Sequence, residues 1–287
     1  MTKRLAYFGP PGTNSEEAAL KYALITGDDY ELVPVSTITG VGASVVDGSC
    51  DEGVMPIENA LDGAITETLD FLIHSPKPVF IRGEVISLIE HYLLARPGVA
   101  VADVRTITSI ATAVAQCRGY IDREFPGVRI EAALSTATAV EEVMARDDAA
   151  AIGNKRAGEL YGAAVLAKGI QDRSPNHTRF VVVGREDHAP TGDDKTSLAF
   201  TYQHSDRPGQ LVQALKEFAD QGINLSKIES RPSKEKLGTY IFLVDLDGHR
   251  EDAALADAIE TVRANCSFFR ILGAYPRYRD DSAGGAA

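Results

Sequence analysis

The sequence predicts an α/β protein of two lobes, followed by a smaller module with a different order of elements. Three observations carry this reading. Units of strand, polar turn and helix repeat from Lys3 to Arg185, a pattern of mainly parallel sheet. A long, β-branched stretch at residues 78–95 crosses into a second lobe, and Val165-Leu166-Ala167 returns to the first. From Arg185 to Lys195 no apolar run occurs, while Pro190, Gly192, Asp193 and Asp194 do; that is a linker, and the order beyond it is βαββαβ.

Lys3 to Phe8 alternates into a strand, broken by Gly9-Pro10-Pro11-Gly12-Thr13-Asn14. The helix that follows has Ala19, Leu20, Ala23 and Leu24 at helical spacing, with Asn14 as N-cap, Glu17 closing a capping box, and Gly27 as the stop. A Gly-bounded loop feeding a helix start is a potential anion site, although no P-loop pattern is present. Glu31–Val35 is a second strand. Gly53 to Asn59 is a third, ending in Pro56-Ile57-Glu58-Asn59, and a helix with Ile65, Leu69, Leu72 and Ile73 runs to the break at Pro76 and Pro78. Thr106-Ile107-Thr108-Ser109 leads into a helix with Val114, Gln116, Cys117 and Tyr120. Val128–Ala133 is a strand, Ser135-Thr136 caps the next helix, Ala149–Ile152 is a buried strand and Asn154 caps again. Beyond the linker come a strand with Leu198, Phe200 and Tyr202, a helix opened by Pro208, strands at Ile223–Arg231 and Tyr240–Leu246, a helix at Ala253–Val262 and a last strand at Phe268–Ala274.

Hydrophobic content of 44% and charged content of 24% are those of a soluble globular protein, and no early apolar segment marks a signal peptide. The most apolar region, Val79 to Leu94, holds Arg82, Glu84, Glu90 and His91 and so spans no membrane. Cys50, Cys117 and Cys266 have no CxxC spacing and fit reduced thiols of a cytoplasm. A net charge of −12 argues against nucleic-acid binding, and leaves attraction of an anionic substrate to local groups.

Chemistry concentrates at Pro175-Asn176-His177-Thr178-Arg179-Phe180, where a loop delivers polar side chains to the head of the buried run Val181-Val182-Val183. Asn-x-Thr-Arg-Phe resembles the signature of the prephenate dehydratase family. Pro56-Ile57-Glu58-Asn59 resembles the family's Pro-Ile-Glu-Asn-Ser, with Ala60 in place of Ser. The βαββαβ order is ferredoxin-like, and with Pro208-Gly209, Ile223-Asn224-Leu225 and Glu229-Ser230-Arg231-Pro232 it resembles the ACT domain fused to such enzymes. The match is collinear from Gly9 to the last strand. Two departures are Ile110, where the family often has His, and Gln210, where it has Ala.

The resemblance implies a catalytic domain at 1–185 with a fold like that of periplasmic binding proteins, an ACT domain at 196–278 and a disordered tail at 279–287. With no chorismate mutase segment before Met1, it implies the monofunctional type. The implied reaction is decarboxylating dehydration of prephenate to phenylpyruvate, water and carbon dioxide, without metal or redox cofactor. Carried over residue by residue, the catalytic set is Thr178, Glu58, Asn59, Ser109 and Gln116, with Thr13, Ser135, Thr136, Asn176, Arg179 and Phe180 around the substrate. Thr178 is expected to bond the leaving hydroxyl. Helix starts at Asn14 and Ser135, with Arg179, are expected to hold the carboxylates. Glu58 either supplies the proton or stays ionised and orients Asn59. His177 is a positioning or bystander residue, and His91 and His204 are structural. The effector L-phenylalanine is implied between two ACT domains of a homodimer or homotetramer. It would lie near Gly209, Gln210, Leu211, Val212, Asn224, Leu225, Glu229, Ser230, Arg231 and Pro232. Arogenate dehydratase, and a non-catalytic amino-acid sensor, are the alternative readings.

Overall fold

The computed structural model describes residues 2–202 and 208–279, so His204 and the tail from residue 280 lie outside the described residues. Lobe one contains β1 (Lys3–Phe8), α1 (Asn14–Thr26), β2 (Tyr30–Val35), α2 (Ile38–Asp47), β3 (Glu52–Asn59), β4 (Gly63–Ala64), α3 (Thr66–His74) and β5 (Phe80–Leu88). The chain then crosses to lobe two. This lobe contains β6 (Tyr92–Ala95), β7 (Thr106–Ser109), α4 (Ala111–Gln116), α5 (Arg118–Glu124), β8 (Arg129–Ala132), α6 (Thr136–Val143), β9 (Ala149–Gly153), α7 (Lys155–Tyr161) and β10 (Ala164–Lys168). It returns as β11 (His177–Gly184). The C-terminal unit follows with β12 (Asp194–Tyr202), α8 (Gln210–Asp220), β13 (Leu225–Pro232), β14 (Tyr240–Asp247), α9 (Ala253–Arg263) and β15 (Cys266–Pro276), in the βαββαβ order expected.

Lobe one's sheet runs β2-β1-β3-β11-β5, with β4 added to β3; lobe two's runs β10-β6-β9-β7-β8; the C-terminal sheet runs β13-β14-β12-β15. The first two are mixed, because β11 is antiparallel to both neighbours and β6 and β10 are antiparallel to theirs. Helix starts follow the sequence with two shifts, one of them at α8, which begins at Gln210 and not at Pro208. Thr13, not Asn14, caps α1, accepting from the Glu16 backbone N–H, and Glu16 turns back to accept from Gly12 N–H at 2.7 Å. Gly12 has φ +87°, and a Cβ there would press on Ala137 and Ala157, so the glycine lets α1 approach lobe two.

One face of the lobe-one sheet packs on α1 through Leu5, Tyr7, Val54, Phe180 and Val182. The other face packs α2, α3 and the C-terminal sheet into a single core, joining Met55, Ile57, Val181 and Val183 to Ala199, Ile241, Leu243, Leu272 and Tyr275. At this junction a side chain on Gly273 would strike the backbone of Ile81.

Candidate active site

A cleft of about 320 Å³ opens between the lobes, lined by Asn14 and Ser15 at the head of α1, Pro56 and Asn59 of β3, and Asp62 in the β3–β4 turn. Ile89 and His91 of the crossing, Ile110, Thr112 and Gln116 around α4, Thr136 of α6 and Thr178 and Phe180 of β11 complete most of its wall. β3 and β11 place the central pair. Asn59 and Thr178 are opposed in the antiparallel register, and Asn59 Nδ2 donates to Thr178 Oγ1 at 2.9 Å. Asn59 is held by its own turn, since its Oδ1 accepts from the backbone N–H groups of Leu61 at 2.9 Å and Asp62 at 3.0 Å. Thr178 Oγ1 is therefore an acceptor toward the protein, and its own O–H is left for the cleft.

The hydrogen bonds continue. Asn59 Nδ2 also donates to Asn176 Oδ1 (2.8 Å), and Asn176 Nδ2 donates to Gln116 Oε1 (3.0 Å). Gln116 Nε2 donates across the cleft to Asp62 Oδ2 (2.6 Å), and Gln116 Oε1 meets His91 Nε2 at 2.7 Å. Burial lowers the proton affinity of His91 below the ordinary imidazole value, outweighing the Gln116 bond and the Asp62 charge, which raise it. His91 thus lines the site as a neutral ring that donates from Nε2. The lobes are joined nearby by Asn154 Nδ2 to Asn14 Oδ1 (2.9 Å) and by Arg156 to Glu16 (3.1 Å). Among the described lining residues there is no Lys or Arg. An anion there would meet the α1 and α6 starts and neutral donors instead.

Of the residues expected here, Thr178, Asn59, Gln116, Thr136 and Phe180 line the cleft, and Asn176 is buried in the network behind it. Five do not reach it. Glu58 faces the opposite side of β3, where its Oε2 accepts from Lys227 Nζ of β13 at 2.6 Å. Arg179 likewise points away. Its Nε donates to Glu84 Oε2 (2.7 Å), one terminal nitrogen to Asp245 Oδ2 (2.6 Å) and the other to the Tyr275 hydroxyl (2.8 Å). The pairing of β3 with β11 slips at Ile57, so Glu58 shares with Ile57 the face toward the C-terminal sheet while Pro56 and Asn59 line the cleft; on β11, Arg179 lies on the face opposite Thr178 and Phe180. Ser109 is buried and donates to the Ile152 carbonyl at 2.7 Å. Thr13 is used by its capping bond and by donation to Phe8 O at 3.0 Å. Ser135 caps α6 and borders a neighbouring hollow with Pro10 and Pro11.

In the C-terminal unit, Gly209, Gln210 and Leu211 line a separate cavity of about 170 Å³ with Tyr202, Gly238, Tyr240 and Phe242. Val212 is exposed, Leu225 packs on the local core, and Asn224 donates to Asp247 at 3.0 Å. Glu229, Ser230, Arg231 and Pro232 lie on edge strand β13 outside the cavity, and Arg231 reaches Asp70 of α3 at 3.4 Å.

The model of the prephenate dehydratase family matches residues 5–188, which is more than half of the chain. The chain belongs to the prephenate dehydratase family. The ACT domain model matches residues 200–264. The prephenate dehydratase of Mycobacterium tuberculosis is 37% identical over 281 residues, covering 95% of this chain and 87% of that protein. A crystal structure of prephenate dehydratase from Arthrobacter aurescens in complex with L-Phe superposes with a TM-score of 0.85 at 34% identity, covering 96% of this chain and 90% of that one. A structure described as a novel type of quorum quenching acylase superposes with a TM-score of 0.83 at 30% identity, covering 96% and 98%. The fold is that of a two-lobed α/β dehydratase carrying a C-terminal ACT domain, and the family places the chain among the hydro-lyases.

Proposed function

We propose that the interlobe cleft converts prephenate to phenylpyruvate, water and carbon dioxide in phenylalanine biosynthesis, and that L-phenylalanine acting at the ACT domain regulates it. The observation that carries the reading is the Asn59–Thr178 pair in a cleft of neutral donors, on a chain of this family. The bond from ring carbon to hydroxyl breaks as the ring carboxylate leaves as carbon dioxide. Its bonding electrons complete the aromatic ring, and the departing hydroxide takes up one proton to become water. Thr178 donates its free O–H to that oxygen. Asn59, by donating to Thr178 Oγ1, makes this proton more positive and stabilises the oxygen as it gives the proton up. Because a threonine hydroxyl is a weak acid, the proton passes through it from solvent rather than originating there. The substrate carboxylates meet the N-termini of α1 and α6, whose unpaired N–H groups favour anions without a cation. Phe180, Ile65, Ile89 and Ile110 hold the ring and exclude water.

The cavity at Gly209–Leu211 lies at the start of α8 and has an aromatic wall, which suits an amino acid with an aromatic side chain. Val212, Leu237 and Tyr240 are exposed around it, Leu237 completely. A second ACT domain would cover them, giving a homodimer or homotetramer of an enzyme that works in the cytoplasm. One observation favours the amino analogue arogenate as a second substrate: Asp62 is the one carboxylate among the described lining residues, and an ammonium group would pair with it.

The test is turnover of prephenate and of arogenate by the full chain, with and without L-phenylalanine, alongside calorimetry for phenylalanine binding and light scattering for mass. Prephenate turnover that changes with phenylalanine supports both parts. No turnover of either substrate, with saturable phenylalanine binding, would leave a sensor and overturn the catalytic reading.

A further inference from the structure

We infer that Asp62 is a positioning residue of this active site: its carboxylate, reaching from lobe one to lobe two, sets the orientation of the Gln116 amide and with it the donor–acceptor direction of the network that ends at Thr178. The inference rests on the dehydratase reading and extends it to a residue outside the family motifs quoted above. Asp62 lies in the turn between β3 and β4, three residues past Asn59.

An amide has one end that only donates and one that only accepts, so a chain of amides has a direction, and its ends decide it. At one end the carboxylate of Asp62 accepts, and therefore takes the Nε2 side of Gln116 at 2.6 Å. Gln116 Oε1 is then the group facing the two crossing segments, where it receives Asn176 Nδ2 at 3.0 Å and His91 Nε2 at 2.7 Å. Asn176 must next present Oδ1 to Asn59 Nδ2, as it does at 2.8 Å. At the other end the orientation of Asn59 is fixed by two backbone N–H groups on its Oδ1, one of them that of Asp62 itself. The two ends agree. Turning Gln116 over would set its oxygen against the Asp62 carboxylate and its amino group against the amino group of Asn176. The Asp62 link at the exposed mouth of the cleft and the part-buried Asn176 link would each then lose their bond, and in the part-buried position an unpaired polar group is expensive. The Asp62 contact also runs from lobe one to lobe two. The neutral His91 takes its tautomer from the same choice, since the oxygen turned toward it requires a proton on Nε2.

The experiment compares Asp62→Ala, Asp62→Asn, Gln116→Ala and the double variant Asp62→Ala/Gln116→Ala in the full chain, with prephenate as substrate. It is joined by the side-chain amide resonances of Gln116 in a ¹⁵N-glutamine-labelled sample. Asp62→Ala should lower kcat about tenfold or more, the scale of a misplaced active-site group, with a much smaller change in KM. Asp62→Asn keeps an acceptor on the same stem and should recover most of the loss. The Gln116 amide pair should shift in Asp62→Ala and return toward the wild-type position in Asp62→Asn. A residue that acts only through Gln116 has nothing left to do once Gln116 is gone, so the double variant should match Gln116→Ala alone. Multiplied losses in the double variant, a Gln116 resonance unmoved by Asp62→Ala, or full kcat in Asp62→Ala would each overturn the assignment. If the wild-type chain does not turn over prephenate, the functional reading beneath it falls, a result separable from the others because the resonance test does not depend on turnover.

Discussion

Replacing Arg179 by methionine separates two roles that sequence and structure give it. Its side chain is 12% exposed and makes three charge-assisted or hydroxyl bonds, to Glu84, Asp245 and Tyr275. Burial opposes its charge, but Tyr275, Asp245 and Glu84 together hold the guanidinium protonated well above its ordinary range. Without it, Glu84 keeps Lys195 Nζ at 2.8 Å and the Tyr278 N–H at 3.0 Å, whereas Asp245 keeps only the Ser197 hydroxyl at 2.6 Å. The uncompensated charge is therefore that of Asp245. Removing one partner of such a buried pair costs about 3–5 kcal/mol. For a chain of this size, at about 2 °C per kcal/mol, the melting temperature should fall by about 6–10 °C. Calorimetry measures this, and kcat/KM for prephenate, taken well below the transition, should stay close to wild type because the side chain is outside the cleft. Adding Asp245→Leu removes the orphaned charge and should return much of the lost stability. An unchanged melting temperature with kcat/KM lowered about 100-fold, the penalty of losing a substrate clamp, would refute this and return Arg179 to the substrate.

Other outcomes follow from the same geometry. Thr178→Val should reduce kcat by about 10²–10⁴-fold with little change in KM, the range for lost assistance to a leaving group; a change confined to KM would contradict its role. Glu58→Gln should keep nearly full turnover, since Glu58 bonds Lys227 on the far side of the sheet; strongly reduced kcat would restore it as the acid. Asp245 is held below the usual carboxylate range, because the Arg179 charge and the Ser197 hydroxyl outweigh its burial. Its contribution is thus complete above the unfolded value of about 4 and disappears as pH falls through the folded value. Acid melts should show Asp245→Asn losing less stability than wild type over that interval, and equal slopes would dismiss the linkage.

The architecture could be read from residues because its signals are local: turn glycines, caps and apolar periodicity. The βαββαβ order and most of the strands needed nothing more. The site was harder. Adjacent motif residues, Glu58 with Asn59 and Thr178 with Arg179, suggest one cluster, yet strand alternation divides each pair between the cleft and the ACT side. Alternation alone does not say which member of each pair meets the substrate; counted from Val54 and Pro56 it would set Glu58 in the cleft, and the register slip at Ile57 is what turns that side chain away. Asp62 and His91 carried no such sign. Asp62 resembles any turn carboxylate, and His91 any buried imidazole, until the crossing of the chain brings them to Gln116. Ser109 and Thr13 illustrate the opposite error, since hydroxyls at strand and helix ends are satisfied by the backbone beside them.

The place of β11 in lobe one has a bearing on how the chain is made. It is the strand between β3 and β5, yet it comes from residues that follow the whole of lobe two. A nascent chain that has released β1 to β5 holds a sheet with its inner strand missing, and two unpaired edges face the gap. Lobe two has no such gap, since all its strands lie between Tyr92 and Lys168. It can complete its sheet while lobe one waits for Val181, Val182 and Val183 to leave the ribosome. Synthesis arrested before β11 would therefore yield one finished lobe joined to an open, aggregation-prone half.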